Sequence, residues 1–452
     1  MNDVIAGVLQ DAIKAHQGGE LDRAERMYNA ILNRLPFSED IAYCLSYLYL
    51  QKNYNGLAIN LLSGLLQNNP KRADAWCHLG IAFRKENEYD RAKACWERAI
   101  KEGGETLPVC NNMSGLYGDR GRPLEALEWI AKSLALEPQN PEANWSKALA
   151  LLSLKRWEEG WKQYEWRQRL ETWDPRKSVI APAWDGSYVD RLYIHGEQGV
   201  GDEVMFASCL PFVKAGHVTL EVHPKVAALM QKSFPDFDVV DSEFPGEYDA
   251  KVPIGSLVGR YGFNTNPFLS PDPWRVQFYR DELKKLGPGP HLAIAWSGGT
   301  KVTRVEDRSI LLRDMKPFLD AYTCVSVQHQ NEHDDAIRQQ LENDRVEAGL
   351  HKINDESTGR DLHEQAALMC AVDAVVTVQQ TAVHVAGGCG VKTFAIIGSH
   401  PHWRYGIEGD SLPFYSGVRL FRRKPDGDWP EVIARTRDAV DRELSGTKQR
   451  AA

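Results

Sequence analysis

Along the first third of the chain, apolar positions follow a helical spacing inside a longer period. Ala24, Ala58, Ala92 and Ala126 stand 34 residues apart, and Pro36, Pro70 and Pro138 fall on the same period with one unit skipped. Four residues after each alanine comes a large apolar side chain (Tyr28, Leu62, Trp96, Ile130), and Tyr164 takes a fifth such place. A small residue recurs earlier in each period (Ser46, Gly80, Ser114, Ala148), with Tyr49, Phe83, Tyr117 and Leu151 three positions on. The pattern predicts pairs of helices: small positions let two helices approach, large ones fill the gap, and the proline closes the second helix. Four units are clear. In a fifth, Gly160 replaces the alanine, and Trp157, Trp161, Tyr164 and Trp166 crowd the last helix.

This pattern resembles tetratricopeptide repeats over about residues 3–170. Stacked repeats of that kind present a concave face that takes a protein or peptide. The aromatic-rich end reads as a capping helix that packs on whatever follows.

After Arg169 the pattern changes. Residues 171–190 hold Pro175 and Pro182, two tryptophans and no helical period, and are expected to be a linker. Short apolar runs then alternate with helical segments. Strands are predicted at 191–195, 217–223, 237–240 and 248–254, with helices at about 202–214 and 224–233. A Gly/Pro-rich break at 284–290 separates these from strands predicted at 292–296, 323–328, 373–378 and 392–397. The expected fold class is therefore an α-solenoid followed by an α/β unit of two Rossmann-like lobes, 191–286 and 287–452, the second closing with a C-terminal helix.

Composition narrows the function classes. The 452 residues include 62 acidic and 54 basic side chains, a net charge of -8, which argues against a general binder of nucleic acid or anionic membrane. The eight cysteines are scattered and form no C-x-x-C pair, so neither a zinc site nor a disulfide framework is indicated. The first residues lack the basic start and apolar run of a signal peptide, and no apolar stretch approaches the roughly 18 residues of a membrane span. A cytoplasmic protein is expected.

In open α/β sheets, ligands sit beyond the carboxyl ends of the strands. The loop after 191–195 holds Glu197, Gln198 and the glycines 196, 199 and 201 before Asp202. Its spacing is G-x-x-G-x-G, neither the dinucleotide fingerprint nor a P-loop, and on spacing alone Asp202 is as good a helix cap as a reacting group. The loop after 292–296 offers Gly298, Gly299, Lys301, Arg304 and Arg308, which suit a diphosphate or carboxylate. After 373–378 come Gln379, Gln380, Thr381 and His384. Thr381 is expected to cap a helix whose N-terminus favours an anion, and His384 is either a site residue or a packing histidine. The last loop carries His400, His402, Trp403 and Arg404, a weak metal signal better suited to base stacking or a surface role.

Taken together, "GEQGVGDEVMFASCLP", "AIAWSGGTKVTRVEDRSI", "VSVQ", "VTVQQTAVHVAGGCG", "HWRYG" and "SGVRLFRR" resemble bacterial tetratricopeptide proteins of the heptosyltransferase-like GT-B glycosyltransferases, including flagellin-modifying ones. The resemblance implies metal-independent, inverting transfer of a sugar from a nucleotide-sugar donor, which is a co-substrate, with no cofactor or metal. It implies a protein acceptor such as flagellin on the concave face. Asp202 would be the catalytic base, with His384 beside it. Glu197, Gln198, Gly199 and Gly201 would face the acceptor. Gly298, Gly299, Lys301, Arg304, Arg308, Gln328, Gln379, Gln380, Thr381, Trp403 and Arg404 would hold the donor. Gln380 stands where the family carries an acid, which removes an ionic role at that position. The competing readings are a saccharide or lipopolysaccharide acceptor, and a scaffold whose GT-B module is not catalytic.

Overall fold

The computed structural model describes residues 3–36, 38–173, 178–299, 305–329, 335–424 and 427–450. It divides into two compact units, Met1–Leu151 and Leu152–Ala452. The division falls ahead of the expected linker, so the last repeat helix belongs with the second unit.

The first unit is built of antiparallel helix pairs: α1 (Asp3–Gln17) with α2 (Leu21–Arg34), α3 (Glu39–Gln51) with α4 (Asn55–Asn68), α5 (Ala73–Lys85) with α6 (Tyr89–Gly103), and α7 (Leu107–Asp119) with α8 (Pro123–Leu136), followed by α9 (Pro141–Ser153). The four periodic alanines are buried, and the small and large positions interlock as expected. Trp96 is fully buried and donates its indole N–H to the Cys77 carbonyl at 3.0 Å. A Cβ placed on Gly80 would lie 2.5 Å from that indole. The glycine is what admits the ring.

A second 34-residue period runs through the turns. Gly19, Asn53, Asn87, Gly121 and Lys155 all adopt positive φ, between 59° and 80°. In the first four, the next residue donates its N–H back five positions, Glu20 to Ala15, Tyr54 to Tyr49, Glu88 to Phe83 and Arg122 to Tyr117, at 2.8–2.9 Å. That bond ends each first helix in a Schellman turn, which needs a left-handed residue and is served best by glycine or asparagine.

The second unit opens with α10 (Trp157–Tyr164) and a 3₁₀ turn, Glu165–Arg169. Its first sheet comprises β1 (Arg191–His195), β2 (His217–Glu221), β3 (Asp238–Val240) and β4 (Ala250–Pro253), all parallel in the order β3-β2-β1-β4. The second comprises β5 (His291–Ala295), β6 (Thr323–Ser326), β7 (Ala374–Val378), β8 (Thr393–Ile397), β9 (Ser411–Leu412) and β10 (Tyr415–Arg422), in the order β6-β5-β7-β8-β10-β9. Only β9 runs antiparallel, at the edge. β7 and β8 are buried at every position, as expected of parallel strands covered on both faces.

Helices α11 (Val200–Phe206), α12 (Pro224–Ser233), α13 (Ser256–Tyr261), α14 (Pro273–Leu286), α15 (Val305–Arg308), α16 (Lys316–Leu319), α17 (Asp335–Glu347), α18 (Leu362–Ala371), α19 (Thr381–Gly388) and α20 (Trp429–Arg450) connect and cover the strands. α20 places Val432, Ile433 and Val440 in the core of the second sheet. The helix expected at 202–214 is shorter. Past Phe206 the chain tightens into a 3₁₀ turn, Ala207–Phe212, because Pro211 has no N–H to continue an α-helix. Residues 178–190 contain no helix. Trp184 donates its N–H to the Lys251 carbonyl at 2.9 Å and Lys251 to Pro182 at 2.8 Å, so the expected linker lies along β4 and covers that edge.

Candidate functional site

The strand orders fix where a crevice can open. Neighbouring strands leave in opposite directions between β1 and β4 in the first sheet and between β5 and β7 in the second. The loops at these two switch points hold most of the residues singled out from the sequence.

At the first switch point, the three acidic side chains of the turn after β1 go separate ways. Glu197 is buried and takes two hydrogen bonds from Arg167, Nε to Oε2 and Nη2 to Oε1, each 2.7 Å. It also accepts the Gly255 N–H at 2.9 Å. Its oxygens are thus bound within the first lobe, which corrects the expectation that it faces an acceptor. Glu203 accepts the His223 N–H at 2.8 Å and ties the turn to the end of β2. Asp202 lies in the first turn of α11, where its carboxylate accepts the Gly199 N–H at 3.3 Å, and it pairs with Arg404 of the second lobe. It is therefore both a helix cap and an interlobe contact. Gln198 and Gly199 are exposed, and Gln198 adopts a left-handed backbone, φ 66°.

At the second switch point, Gly298 lies so close to β7's exit that a Cβ on it would meet the Gln379 carbonyl at 2.8 Å. Its N–H donates to Ser309 Oγ at 3.1 Å. Gly299 takes φ 84°. Lys301 and Arg304 lie outside the described residues. Arg308 donates from Nη2 to the Gln379 carbonyl at 2.8 Å, which sets its charge beside the start of α19. Gln379 is fully buried, and among the described residues neither polar atom of its amide has a hydrogen-bond partner.

Thr381 does not cap α19. The chain leaves β7 extended through Gln380, which becomes the N-cap and turns its amide to Thr377 Oγ1 at 3.4 Å, and Thr381 is the first helical residue. The N-terminal N–H groups of α19 therefore lack a side-chain cap, which suits an anion. The first turns of α11 and α19 meet: a Cβ on Gly201 would lie 3.3 Å from Thr381 Oγ1 and 3.4 Å from His384 Cδ2.

His384 is buried with Nδ1 3.1 Å from the Tyr415 hydroxyl. Burial, aided by the charge of Arg308, pushes its imidazole down to about 3. It is neutral at any ordinary pH and is a packed, hydrogen-bonded ring. The Tyr415 ring is seated by Gly387, where a Cβ would come within 2.5 Å.

Gln328 clamps the second switch point. Its Oε1 accepts from Trp296 N at 2.9 Å and Ser297 N at 2.8 Å, and its Nε2 donates to the Ser297 and His329 carbonyls at 2.9 and 3.1 Å. With the amide so engaged, it positions the β5 loop and is not turned to a ligand. Trp403 is likewise packed inside the chain, its ring 5.6 Å from Trp161 and 6.0 Å from Tyr164, so it offers no free face to a base. Arg404 lies over Trp403 at 4.8 Å. The Trp161 ring also meets Phe206 and Phe263, which is the packing expected of a capping helix.

Two features carry no sequence signal in spacing or composition. Arg167 is one. Asp307 is the other: it accepts from Ser399 Oγ at 3.0 Å, His400 N at 3.1 Å and Arg423 Nη2 at 2.6 Å, fixing the loop that leads to Arg404. Burial pushes the Asp307 carboxyl up, but the hydrogen bonds and charge of His400, with Ser399, outweigh it and hold the group at about 2. His400 is thereby placed on Asp307, and among the described residues no three metal-ligating side chains converge.

Residues 73–102 and 116–164 match the tetratricopeptide repeat family. The chain carries tetratricopeptide repeats. It is 27% identical over 425 residues to Protein FlbA of Caulobacter vibrioides, a match covering 86% of this chain and 70% of FlbA. That span reaches well beyond the first unit. Solved structures similar to it include a thermophilic tetratricopeptide protein of Thermus thermophilus (19% identity, TM-score 0.34, 38% of this chain and 93% of that one). PilF of Pseudomonas aeruginosa is another (18%, 0.35, 39% and 81%). Among the described residues no helix is long and apolar enough to cross a membrane.

Proposed function

We propose that the second unit is a GT-B glycosyltransferase that moves a sugar from a nucleotide-sugar donor to a protein acceptor recruited by the repeats, with flagellin the acceptor that the sequence resemblance implies. The observation that carries this reading is the meeting of two switch-point loops, one bearing Asp202 and the other an uncapped helix start beside Arg308 and the Gln379 side-chain amide, which has no hydrogen-bond partner among the described residues.

In this reading the donor diphosphate lies at the α19 N-terminus, where backbone N–H groups, the helix dipole and Arg308 stabilise charge on the leaving phosphate. The acceptor hydroxyl gives its proton to the Asp202 carboxylate as its oxygen bonds to the anomeric carbon. The bond from that carbon to the phosphate oxygen breaks, and the nucleotide leaves with the electron pair. The Arg404 guanidinium stands beside the Asp202 carboxylate as its ion-pair partner. An incoming diphosphate competes for Arg404 and leaves the Asp202 carboxylate open to the acceptor hydroxyl. His384, neutral and bonded to Tyr415, supports the packing of α19 and takes no proton.

The pairing of Asp202 with Arg404, together with a glutamine at position 380, also favours a second reading, a repeat scaffold whose α/β module does no chemistry. Melting the full chain with millimolar CMP, UDP, GDP and ADP separates the two, because a ligand of the native state must raise its stability. One nucleotide is expected to raise the melting temperature. No shift with any of them supports the scaffold.

A further inference from the structure

The two lobes treat their switch points differently. In the second, a buried amide has no partner among the described residues. In the first, between β1 and β4, the place of a ligand is taken by the chain's own Arg167. All five N–H bonds of this guanidinium have an acceptor: Nε and Nη2 on Glu197, Nη2 also on Ser256 Oγ at 2.8 Å, and Nη1 on the Tyr164 carbonyl at 3.1 Å and Glu165 Oε1 at 3.0 Å. The Arg167 and Glu197 side chains are 1% and 4% exposed. The guanidinium is stacked over Tyr164 and Trp173, at 4.5 and 5.3 Å.

This pair holds the middle of the turn, whose ends are held by the Gly196 N–H on the Glu221 carbonyl at 2.7 Å and by Glu203 on the His223 N–H. Three glycines within six residues (196, 199, 201) give the β1–α11 segment a high conformational entropy in the unfolded chain, and Gln198 between them stands in a left-handed conformation. Glu197 sits in the middle of it. Fixing Glu197 from both sides, by Arg167 and by the Gly255 N–H, fixes the path into α11 and so the place of Asp202 five residues on.

We infer that Arg167, on the 3₁₀ turn after the last repeat helix, is a positioning residue for the transfer reaction, acting through Glu197 to hold Asp202 in line. This rests on the glycosyltransferase reading. Lysine cannot replace it, since an ammonium has three donors and no planar fork to engage Glu197 while reaching Tyr164 and Glu165.

The test uses the full chain with Arg167→Lys, Arg167→Ala and the double variant Arg167→Met/Glu197→Gln. The double variant removes both charges, so the fold survives even if a single change that strands a buried carboxylate does not. Amide hydrogen exchange over residues 196–206 is expected to quicken in Arg167→Lys and in the double variant, with exchange in the second sheet unchanged. Transfer turnover is expected to fall by about 10²-fold, the cost of a misplaced reacting group, with nucleotide affinity held. Guanidinium ion is expected to restore part of the turnover of Arg167→Ala. Unchanged exchange over 196–206 overturns the inference, as does a folded Arg167→Lys variant with wild-type turnover. A wild-type chain that binds no nucleotide sugar overturns the transfer reading instead, and hydrogen exchange still decides whether Arg167 holds the turn.

Discussion

Asp202 of the first lobe and Arg404 of the second form an ion pair across the contact between α11 and the loop after β8, and each side chain is only 11–12% exposed. A carboxylate so placed has two uses, closing the lobes together and accepting a proton, and one substitution separates them. Asp202→Asn keeps the shape and removes the proposed base. Transfer turnover should fall by about 10²- to 10⁴-fold, the usual contribution of a general base. Nucleotide affinity should rise, by about tenfold or ~1.4 kcal/mol, because Arg404 no longer has a competing carboxylate. Titration calorimetry beside a turnover assay reads both.

Arg308 reaches the carbonyl at the end of β7 and stands beside the α19 N-terminus. Arg308→Ala should weaken nucleotide-diphosphate binding by about 1.5–3 kcal/mol, the usual worth of a hydrogen bond to a charged group, and leave the affinity for the bare nucleoside unchanged. Equal loss for both ligands would place Arg308 outside the phosphate site.

The buried His384 gives stability a pH dependence of known sign. Its folded value of about 3 lies below the ordinary 6.5, so the unfolded chain binds more protons between these limits. Its contribution is complete above pH 6.5 and is lost as pH falls towards 3. At pH 5 the loss is about 2 kcal/mol. Urea midpoints measured at pH 7 and pH 5 should differ by more in the wild type than in His384→Gln.

In the repeats, Gly80 and Trp96 act as a lock. Gly80→Ala should cost about 1–3 kcal/mol by overpacking the indole, and Trp96→Ala about 3–5 kcal/mol by leaving a cavity. Because the added methyl needs the space that the ring fills, Gly80→Ala should cost less in a Trp96→Ala background. A double-mutant cycle measured by denaturant unfolding detects that coupling.

The legible parts of the chain were those with a period. The alanine and aromatic repeats mark the helix pairs, and each of the eight apolar runs from 191 to 397 overlaps a strand of the two sheets. Strand β10, between β8 and the edge strand β9, is not legible as a strand because Arg419 and Arg422 interrupt its apolar pattern, Arg422 turning to the carbonyls of Gly406 and Gly409. The left-handed turn residues follow the same 34-residue period as the alanines, yet they escape notice because glycine, asparagine and lysine share no side-chain chemistry, only a backbone angle.

The loops singled out from the sequence do follow strand ends, but contacts within them were not legible. Glu197, Gln328 and Trp403 looked available in the sequence and proved to be bound by their own chain. Their partners come from distant segments, and no local spacing encodes a contact made by Arg167 or Trp161. Thr381 missed the cap position by one residue, because where β7 stops being extended is settled by its neighbours in the sheet.

The filled first switch point has a consequence for counting. Two parallel sheets of similar topology could each take a nucleotide, and a chain built that way would bind two. Here Arg167 occupies one of the two places, so a nucleotide titration should saturate at a single equivalent per chain, with the other lobe silent at any concentration that leaves the protein folded.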